Sequence, residues 1–272
     1  MLSPDQVDFY REQGYVIASG VFAEAELDEL ERAFDDLIVR RLAQQAQLDV
    51  TWSGDWNKHP GSVIIHTDDV QVYDAAWTRA LVHPRFTELL SDLIGPNVQL
   101  HHTKLFQKPP ERGSGFPVHQ DYPYFPHEKH TVMAAVIHLT DATEEMGCIK
   151  VGAGSHKLGP LSTVQSPGQD DESLYVDQDL WPLDSLTPLV AKRGDVACFN
   201  YLTLHASDIN RSRSVRKTVL VQVRDPTDMP IVDTHRSHAQ GMMLRGIDPL
   251  ERNAPSNNSQ KEQDKEIALP RS

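Results

Sequence analysis

Four residues of this chain have the types and spacing of a metal centre beside an anion-binding group. His119 and Asp121 stand two positions apart in the segment FPVHQDYPYFP, and His205 follows far downstream, eleven residues before Arg216. Two imidazoles and one carboxylate on a single face give Fe(II) three protein ligands and leave coordination positions open. A guanidinium that follows the second histidine can bind the remote carboxylate of a 2-oxo acid with two parallel hydrogen bonds. The pattern therefore predicts an iron centre that uses a 2-oxo acid and O2.

The ligand types alone carry little information, because a histidine two residues before an aspartate arises easily by chance. The chain has 13 histidines and a second such pair, His66 and Asp68. His119 differs because it lies between two apolar, strand-like segments, and His205 ends a third. These segments are residues 98–106, 131–139 and 196–204. Since strands on a rigid sheet hold ligand geometry better than loops do, we predict that His119, and not His66, binds the metal.

The elements that must position these residues are helices first and strands afterwards. A serine–proline capping box at residues 3–6 predicts the start of the first helix, and Gly14 predicts its end. Apolar periodicity predicts two more helical regions, at residues 23–45 and 73–94, the second interrupted at Pro84. The predicted strands are residues 15–17, 98–107, 131–139, 148–151, 189–191, 195–202 and 217–224. This order predicts an α+β, mainly β fold with a jelly-roll core and flanking N-terminal helices.

Three segments are predicted to be irregular. Residues 49–69 contain Trp52 and Trp56 among Gly, Asn and Pro, which is typical of a mobile lid. Residues 156–188 are long and polar, and loops of that length are functional or disordered. Residues 251–272 have almost no apolar side chains, which predicts a disordered tail. We therefore predict one domain over residues 1–250, with a helical part to about residue 95 and the jelly roll over about 96–226.

Composition excludes several classes of protein. A chain of 272 residues can bury a large core, so it needs no disulfide, and Cys148 and Cys198 in apolar contexts are expected to be buried thiols. No apolar run approaches 18 residues and no leader is recognisable, so we expect a cytoplasmic protein without a membrane partner. The net charge of −13 argues against nucleic acid, and against a highly anionic substrate unless a local basic patch overrides it. The oligomeric state stays open.

Three longer motifs occur in a characteristic order. They are the opening LSPDQVDFYREQGYVIASGVFAEAELDELERAFDDL, the middle HLTDATEEMGCIKVGAGSHKLG and the later KRGDVACFNYLTLHASDINRSRSVRKTVLVQVRD. They are spread over residues 3–225, and they resemble the phytanoyl-CoA dioxygenase family within the Fe(II)- and 2-oxoglutarate-dependent oxygenases. The resemblance implies a double-stranded β-helix, the cupin-like form of the jelly roll. One departure is Ala153, where the family usually has proline before Gly-Ser-His; it changes a loop and no ligand.

The resemblance implies a role for each residue of the proposed centre. His119, Asp121 and His205 match the iron ligands, and Arg216 matches the residue that binds the distal carboxylate of 2-oxoglutarate. The implied co-substrates are 2-oxoglutarate and O2, and the implied products are succinate, CO2 and an oxidised small molecule. Asp121 stands where related halogenases have a small residue that leaves room for a halide. Its carboxylate therefore favours hydroxylation, with desaturation or ring closure also open.

Further residues are candidates for contacts with the co-substrate or the substrate. Ser207 matches a hydroxyl that assists at the distal carboxylate, and Lys104 stands where relatives place a side chain beside the co-substrate. Gln120, between two ligands, is also expected to approach the co-substrate. The candidates for substrate contacts are Tyr122, Tyr124, Phe125, Trp52, Trp56, His102 and Arg236.

Two functions from other classes remain open at this point. A Zn(II) cupin-like or hydrolytic protein could use the same three ligands and would need neither Arg216 nor a position for O2. A non-catalytic sensor could bind iron and 2-oxoglutarate without turnover. Succinate formation tied to O2 uptake separates the oxygenase from both.

Overall fold

The computed structural model of the protein describes residues 2–44, 49–50, 64–111, 113–164 and 174–250. The helices are α1 (Pro4–Gln13), α2 (Glu24–Ala43), α3 (Ala75–Leu81) and α4 (Pro84–Ile94). The strands are β1 (Tyr15–Ala18), β2 (Asp49–Val50), β3 (Ile64–Asp68), β4 (Val98–Lys108), β5 (Phe116–His119), β6 (Met133–His138), β7 (Ile149–Val151), β8 (Thr187–Leu189), β9 (Val196–Asn200), β10 (His205–Ser207), β11 (Arg216–Arg224) and β12 (Met243–Arg245). Among the described helices, none is both long and apolar enough to cross a membrane.

The predicted helices are confirmed, and their ends follow from local chemistry. The Ser3 hydroxyl accepts the Gln6 N–H at 3.2 Å, and the Gln6 side chain accepts the Ser3 N–H at 3.0 Å, which completes the capping box of α1. Gly14 ends that helix with a φ of 81°, a backbone conformation that favours glycine. Helix α2 buries an apolar stripe, and Pro84 begins α4 after the interruption. The buried residues of α2 are Leu27, Leu30, Ala33, Phe34, Leu37 and Ile38.

Two antiparallel sheets face each other and form the jelly roll. The larger sheet has the order β1-β9-β6-β11-β4-β3-β2, with β12 beside β4, and the smaller has the order β5-β10-β7-β8. Side chains alternate along each strand, so Ala135 of β6 packs with the helices while Val136 faces the smaller sheet. The helices therefore cover one face of the larger sheet and leave the other face to enclose a site. The predicted fold class, a mainly β jelly roll with N-terminal helices, is confirmed.

The structure differs from the predicted elements in several places. Strand β3 lies in the segment expected to be an irregular lid, because it pairs with the edge of β4 and so extends the larger sheet. Strand β8 begins at Thr187, two residues earlier than predicted, and Ala191 instead forms an isolated bridge with Ala142. His205 was expected to end a strand, but it begins the short strand β10. Residues 51–63, with the rest of the predicted lid, and the predicted tail at 251–272 lie outside the described residues, and the domain limits stay a prediction.

Candidate functional site

The three predicted ligands come together at the edge of the smaller sheet. His119 ends β5 and His205 begins the neighbouring strand β10, where the two residues are paired in antiparallel register. Their rings lie side by side with centroids 4.1 Å apart. Asp121 opens the short turn after β5, and its Oδ1 lies 3.8 Å from Nε2 of His119 and 3.6 Å from Nε2 of His205. Within the described residues, this is the one group of three His, Cys, Asp or Glu side chains close enough to hold a metal ion.

Neighbouring groups fix the orientation of each ligand. Nδ1 of His119 donates to the carbonyl of Pro117 at 2.8 Å, and Nδ1 of His205 donates to the carbonyl of Thr203 at 3.0 Å. A carbonyl can only accept, so Nδ1 carries the proton and the Nε2 lone pair points into the site. Burial and the adjacent His205 lower the pKa of His119 to about 4, which keeps the imidazole neutral and able to bind a metal.

The carboxylate ligand is also held in place. Oδ2 of Asp121 accepts a hydrogen bond of 2.5 Å from the side chain of Gln222, a buried residue of β11, and this leaves Oδ1 for the metal. Two imidazole nitrogens and one carboxylate oxygen on one side of a cavity fit a facial Fe(II) centre. The same three donors would also suit Zn(II) with an open position, so the residues beside the centre must decide between the two chemistries.

An inner cavity of about 100 Å³ extends from the ligands into the space between the sheets. Its lining residues are Phe106, Phe116, His119, Asp121, Val136, Ile149, Phe199, His205, Ala206, Ser207, Arg216, Thr218 and Leu220. Arg216 is buried and donates through Nη1 to the carbonyl of Gly147, while its buried Nε finds no acceptor among the described residues. Burial lowers the pKa of Arg216 to about 10, so the guanidinium stays charged at neutral pH. A buried cation of this kind, open to an apolar cavity, fits a carboxylate ligand.

A second buried cation lies next to Arg216 and was missed in the sequence. Lys108 ends β4 directly opposite Arg216 in the register of β4 and β11, and it has no exposed surface. Its ammonium donates to the Ser207 hydroxyl at 2.7 Å and to the carbonyl of Asp208 at 2.5 Å. Strand alternation could have indicated Lys108 in the sequence, because it lies two residues beyond Phe106 and therefore on the same face of β4.

An outer cavity of about 310 Å³ adjoins the inner one and shares the metal ligands His119 and Asp121 with it. Its lining residues are His66, His102, Lys104, Phe106, Phe116, Pro117, His119, Asp121, Tyr124, Phe125, Tyr175, Leu220, Gln222 and His235. Three of the predicted substrate contacts, His102, Tyr124 and Phe125, lie in this wall. His235 was not predicted, and its φ of 54° is a conformation that side chains other than glycine seldom adopt.

Two predicted co-substrate contacts lie elsewhere. Lys104 lines the outer cavity, not the inner one, and forms an ion pair of 3.5 Å with Asp68. It lies four positions before Lys108 on β4, a distance of roughly 13 Å at about 3.3 Å per residue. Gln120 follows the end of β5 and lines neither cavity. Its buried side chain instead bonds to the backbone of Gly159, Leu161 and Leu202.

Two other predicted substrate contacts, Tyr122 and Arg236, are not in the cavity wall. Tyr122 packs edge-on against Tyr201 at 5.6 Å and lines neither cavity. Arg236 forms an exposed ion pair with Asp233 beside a small surface pocket. Trp52 and Trp56 lie outside the described residues.

The second His-x-Asp pair has no metal-site geometry. His66 lies on β3, where its ring stacks on Phe106 with centroids 6.4 Å apart. Asp68 forms its ion pair with Lys104. Neither residue belongs to the group of three close ligands found in the described part of the chain.

Comparison with known proteins agrees with this geometry. The phytanoyl-CoA dioxygenase (PhyH) family matches residues 10–218. The chain is 28% identical over 235 residues to the peroxisomal phytanoyl-CoA dioxygenase of Bos taurus, which covers 83% of this chain and 69% of the relative. It is 24% identical over 241 residues to the ectoine dioxygenase of Bordetella parapertussis, with 81% of this chain and 74% of the relative covered.

Solved structures share the fold. The alpha-ketoglutarate-dependent carbocyclase SnoK from nogalamycin biosynthesis has a TM-score of 0.69 at 24% identity, covering 90% of this chain and 94% of SnoK. The epimerase SnoN, in complex with Fe3+, alpha-ketoglutarate and nogalamycin RO, has a TM-score of 0.67 at 22% identity, covering 89% of this chain and 98% of SnoN. With the family matched over most of its length, the chain belongs to the phytanoyl-CoA dioxygenase family and is an iron- and 2-oxoglutarate-dependent dioxygenase.

Proposed function

We propose that this enzyme hydroxylates a small molecule bound in the outer cavity, with iron held by His119, Asp121 and His205 and 2-oxoglutarate held by Arg216. The observation that carries the proposal is the buried Arg216 guanidinium, which opens into a small apolar cavity directly beside the three ligands. A Zn(II) hydrolase has no use for that cation. When bound, the iron and 2-oxoglutarate supply oxidation by O2, with release of succinate and CO2.

The residues of the chain bind and orient. Arg216 forms a charge-assisted pair with the distal carboxylate of 2-oxoglutarate, a contact worth about 1.5 to 3 kcal/mol. Ser207 lines the same cavity and offers its hydroxyl to that carboxylate. The apolar walls, such as Val136, Ile149 and Phe199, keep water away from the reacting centre and strengthen the ion pair.

The outer cavity is lined by both apolar and hydrogen-bonding side chains. The apolar ones are Phe106, Phe116, Tyr124, Phe125 and Leu220, and the hydrogen-bonding ones are His66, His102, Lys104, Gln222 and His235. Members of the two sets are neighbours, since Leu220 pairs with Lys104 and His66 stacks on Phe106. We therefore propose a metabolite or natural product that carries apolar and hydrogen-bonding groups close together. The names of the relatives, which include an ectoine dioxygenase and two enzymes of nogalamycin biosynthesis, support small molecules of varied structure.

The test is a substrate screen of the iron-loaded enzyme, scored by substrate-dependent succinate release and by the mass of the product. Hydroxylation predicts a mass gain of one oxygen atom, derived from O2 when 18O2 is supplied. A product that has lost two hydrogen atoms would replace hydroxylation with desaturation or ring closure. Turnover that needs zinc and no O2 would contradict the oxygenase itself.

We also propose that the enzyme works in a reducing compartment such as the cytoplasm. Cys148 and Cys198 are buried free thiols, and burial raises the pKa of both. Proteins of reducing compartments keep such thiols unpaired. Fractionation of the source cells, with a compartment marker in parallel, tests this location against the peroxisome that the names of the animal relatives give.

A further inference from the structure

We propose that Lys108 is a positioning residue for 2-oxoglutarate: its ammonium group orients the Ser207 hydroxyl towards the distal carboxylate that Arg216 binds. The inference rests on the proposed role of Arg216 and adds a second cation behind the first. Lys108 does not line the inner cavity, whereas Ser207 does. Lys108 therefore acts through Ser207 and not by direct contact.

The contacts of Lys108 converge on the end of the inner cavity. Its Nζ donates to the Ser207 hydroxyl at 2.7 Å, to the carbonyl of Asp208 at 2.5 Å and to the carbonyl of Gly147 at 3.5 Å. Arg216 donates to the same Gly147 carbonyl. The two cations therefore share one acceptor, and β4 and β11 hold them opposite each other in register.

The direction of the Ser207 hydroxyl follows from the donor chemistry of lysine. An ammonium group has three donors and no acceptor, so Lys108 must occupy a lone pair of the Ser207 oxygen. The hydroxyl proton of Ser207 is then free to point elsewhere, and no acceptor for it is found among the described residues. Because Ser207 lines the inner cavity, a ligand carboxylate is the acceptor that this arrangement lacks.

The charge balance points to the same ligand. Lys108 and Arg216 are both buried, and the hydrogen-bond partners recorded for them among the described residues are carbonyls and one hydroxyl. Asp208 is an acidic side chain whose charge acts on Lys108, but its carboxylate accepts hydrogen bonds from Arg211 at 2.9 and 3.1 Å. Burial and the charge of Arg216 hold the pKa of Lys108 well below its usual range. Buried charge of one sign is costly without a counter-charge, and the distal carboxylate of a 2-oxo diacid supplies one.

A double-mutant cycle tests the inference by direct binding, without turnover. Zn(II)-loaded wild type, Lys108→Met, Ser207→Ala and the double variant are titrated by calorimetry with 2-oxoglutarate, and with 2-oxobutyrate, which lacks the distal carboxylate. Each single substitution should raise the Kd of 2-oxoglutarate about tenfold and leave the Kd of 2-oxobutyrate unchanged. The double variant should bind 2-oxoglutarate no more weakly than the weaker-binding single variant does, because Lys108 acts through Ser207.

Several outcomes would overturn the inference. They are an unchanged Kd for 2-oxoglutarate in Lys108→Met, an equal loss for both ligands, or fully additive losses in the double variant. If Lys108→Met does not fold, Lys108→Gln gives the same comparison: a reduced preference for 2-oxoglutarate over 2-oxobutyrate supports the role, and an unchanged preference refutes it. Wild-type protein that binds neither ligand would instead contradict the proposed function. Lys104→Met, the same substitution on the same strand but outside the inner cavity, is the matched control.

Discussion

The inner and outer cavities meet at the metal ligands but are built from different parts of the fold. Every lining residue of the inner cavity except Asp121 lies on a strand, whereas Tyr124, Phe125, Tyr175 and His235 reach the outer cavity from connecting segments. Strands hold side chains in place, and connecting segments tolerate change. In the proposed function, the sheets therefore hold the groups for iron and 2-oxoglutarate, and the connections shape the space for the substrate.

The two cavities also differ in how their cations are balanced. In the outer cavity, Lys104 has a carboxylate partner, Asp68. Arg216 in the inner cavity, and Lys108 behind it, have carbonyls and a hydroxyl as their recorded hydrogen-bond partners. A ligand carboxylate is therefore needed in the inner cavity, while the outer cavity can accept an uncharged molecule. Substitutions that separate the two cavities test this difference.

The largest effect is expected at the metal centre that both cavities share. His119→Ala removes one of three ligands and should abolish stoichiometric iron binding, measured by metal analysis of the reconstituted protein. His66→Ala is the matched control, since it removes the histidine of the second His-x-Asp pair and should retain the metal. Loss of iron in the control and not in His119→Ala would mean that the wrong pair has been assigned.

The second largest effect is expected at Arg216, which lines only the inner cavity. Arg216→Ala should raise the Kd of 2-oxoglutarate about ten- to a hundredfold, as expected for a lost charge-assisted pair of about 1.5 to 3 kcal/mol. Arg216→Lys should restore only part of the affinity, because an ammonium cannot form the two parallel hydrogen bonds of a guanidinium. Calorimetry on metal-loaded protein measures both variants. Wild-type affinity in Arg216→Ala would transfer the role to another cation such as Arg211 or Arg213.

A smaller, pH-dependent effect should distinguish Lys108 from Arg216. Burial and the charge of Arg216 hold the pKa of Lys108 well below its usual range, so this group loses its proton at a lower pH than an exposed lysine does, whereas the pKa of Arg216 is about 10. A carboxylate binds the protonated form better, so the affinity for 2-oxoglutarate should fall as the pH rises through the pKa of Lys108. The other groups facing Lys108 do not produce this change, because the pKa of Asp208 is lowered and that of the Cys148 thiol is raised. Lys108→Met should flatten the profile, and a profile unaltered by the substitution would exclude Lys108 as its source.

The smallest effect is expected at the outer cavity. Lys104→Met should change the Kd of 2-oxoglutarate by less than about twofold, because Lys104 lies roughly 13 Å along β4 from Lys108. The same calorimetric titration measures it. A tenfold loss of affinity would mean that Lys104 does contact the co-substrate. The two cavities would then not bind separate ligands.

The pairing of His119 with Asp121 was predictable from their spacing and from the strand-like segments that flank them. His205 comes from a distant segment and reaches the other two residues because β10 pairs with β5, so its place in the group was predicted from the order of the motifs and not from local spacing. The position of Gln120 was not predictable, because β5 ends at His119 and the side chain of Gln120 bonds to the backbone of distant segments. The family resemblance identified Arg216, and the register of β4 and β11 then explains its position.

The parts that escaped prediction depend on contacts between distant segments. A lysine is almost never fully buried, so strand alternation alone is a weak signal for Lys108, and its role becomes visible when β11 places Arg216 opposite it. His235 reaches the outer cavity because its segment is fastened by long-range hydrogen bonds: Ser237 donates to the His101 carbonyl, and His238 donates to Asp69. Strand β3 exists as a strand through its pairing with β4. The local helix and strand propensities of the sequence contain no information about these contacts.

The most direct test of the central claim, that iron at His119, Asp121 and His205 works together with 2-oxoglutarate at Arg216, is the ratio of succinate formed to O2 consumed. It is measured on iron-loaded enzyme with a substrate from the screen, beside zinc-loaded enzyme and Arg216→Ala at the same limiting 2-oxoglutarate. We expect one succinate for each O2 with iron, none with zinc, and a rate reduced at least tenfold in Arg216→Ala. Substrate conversion that continues with zinc, or without O2 and succinate, would contradict the claim.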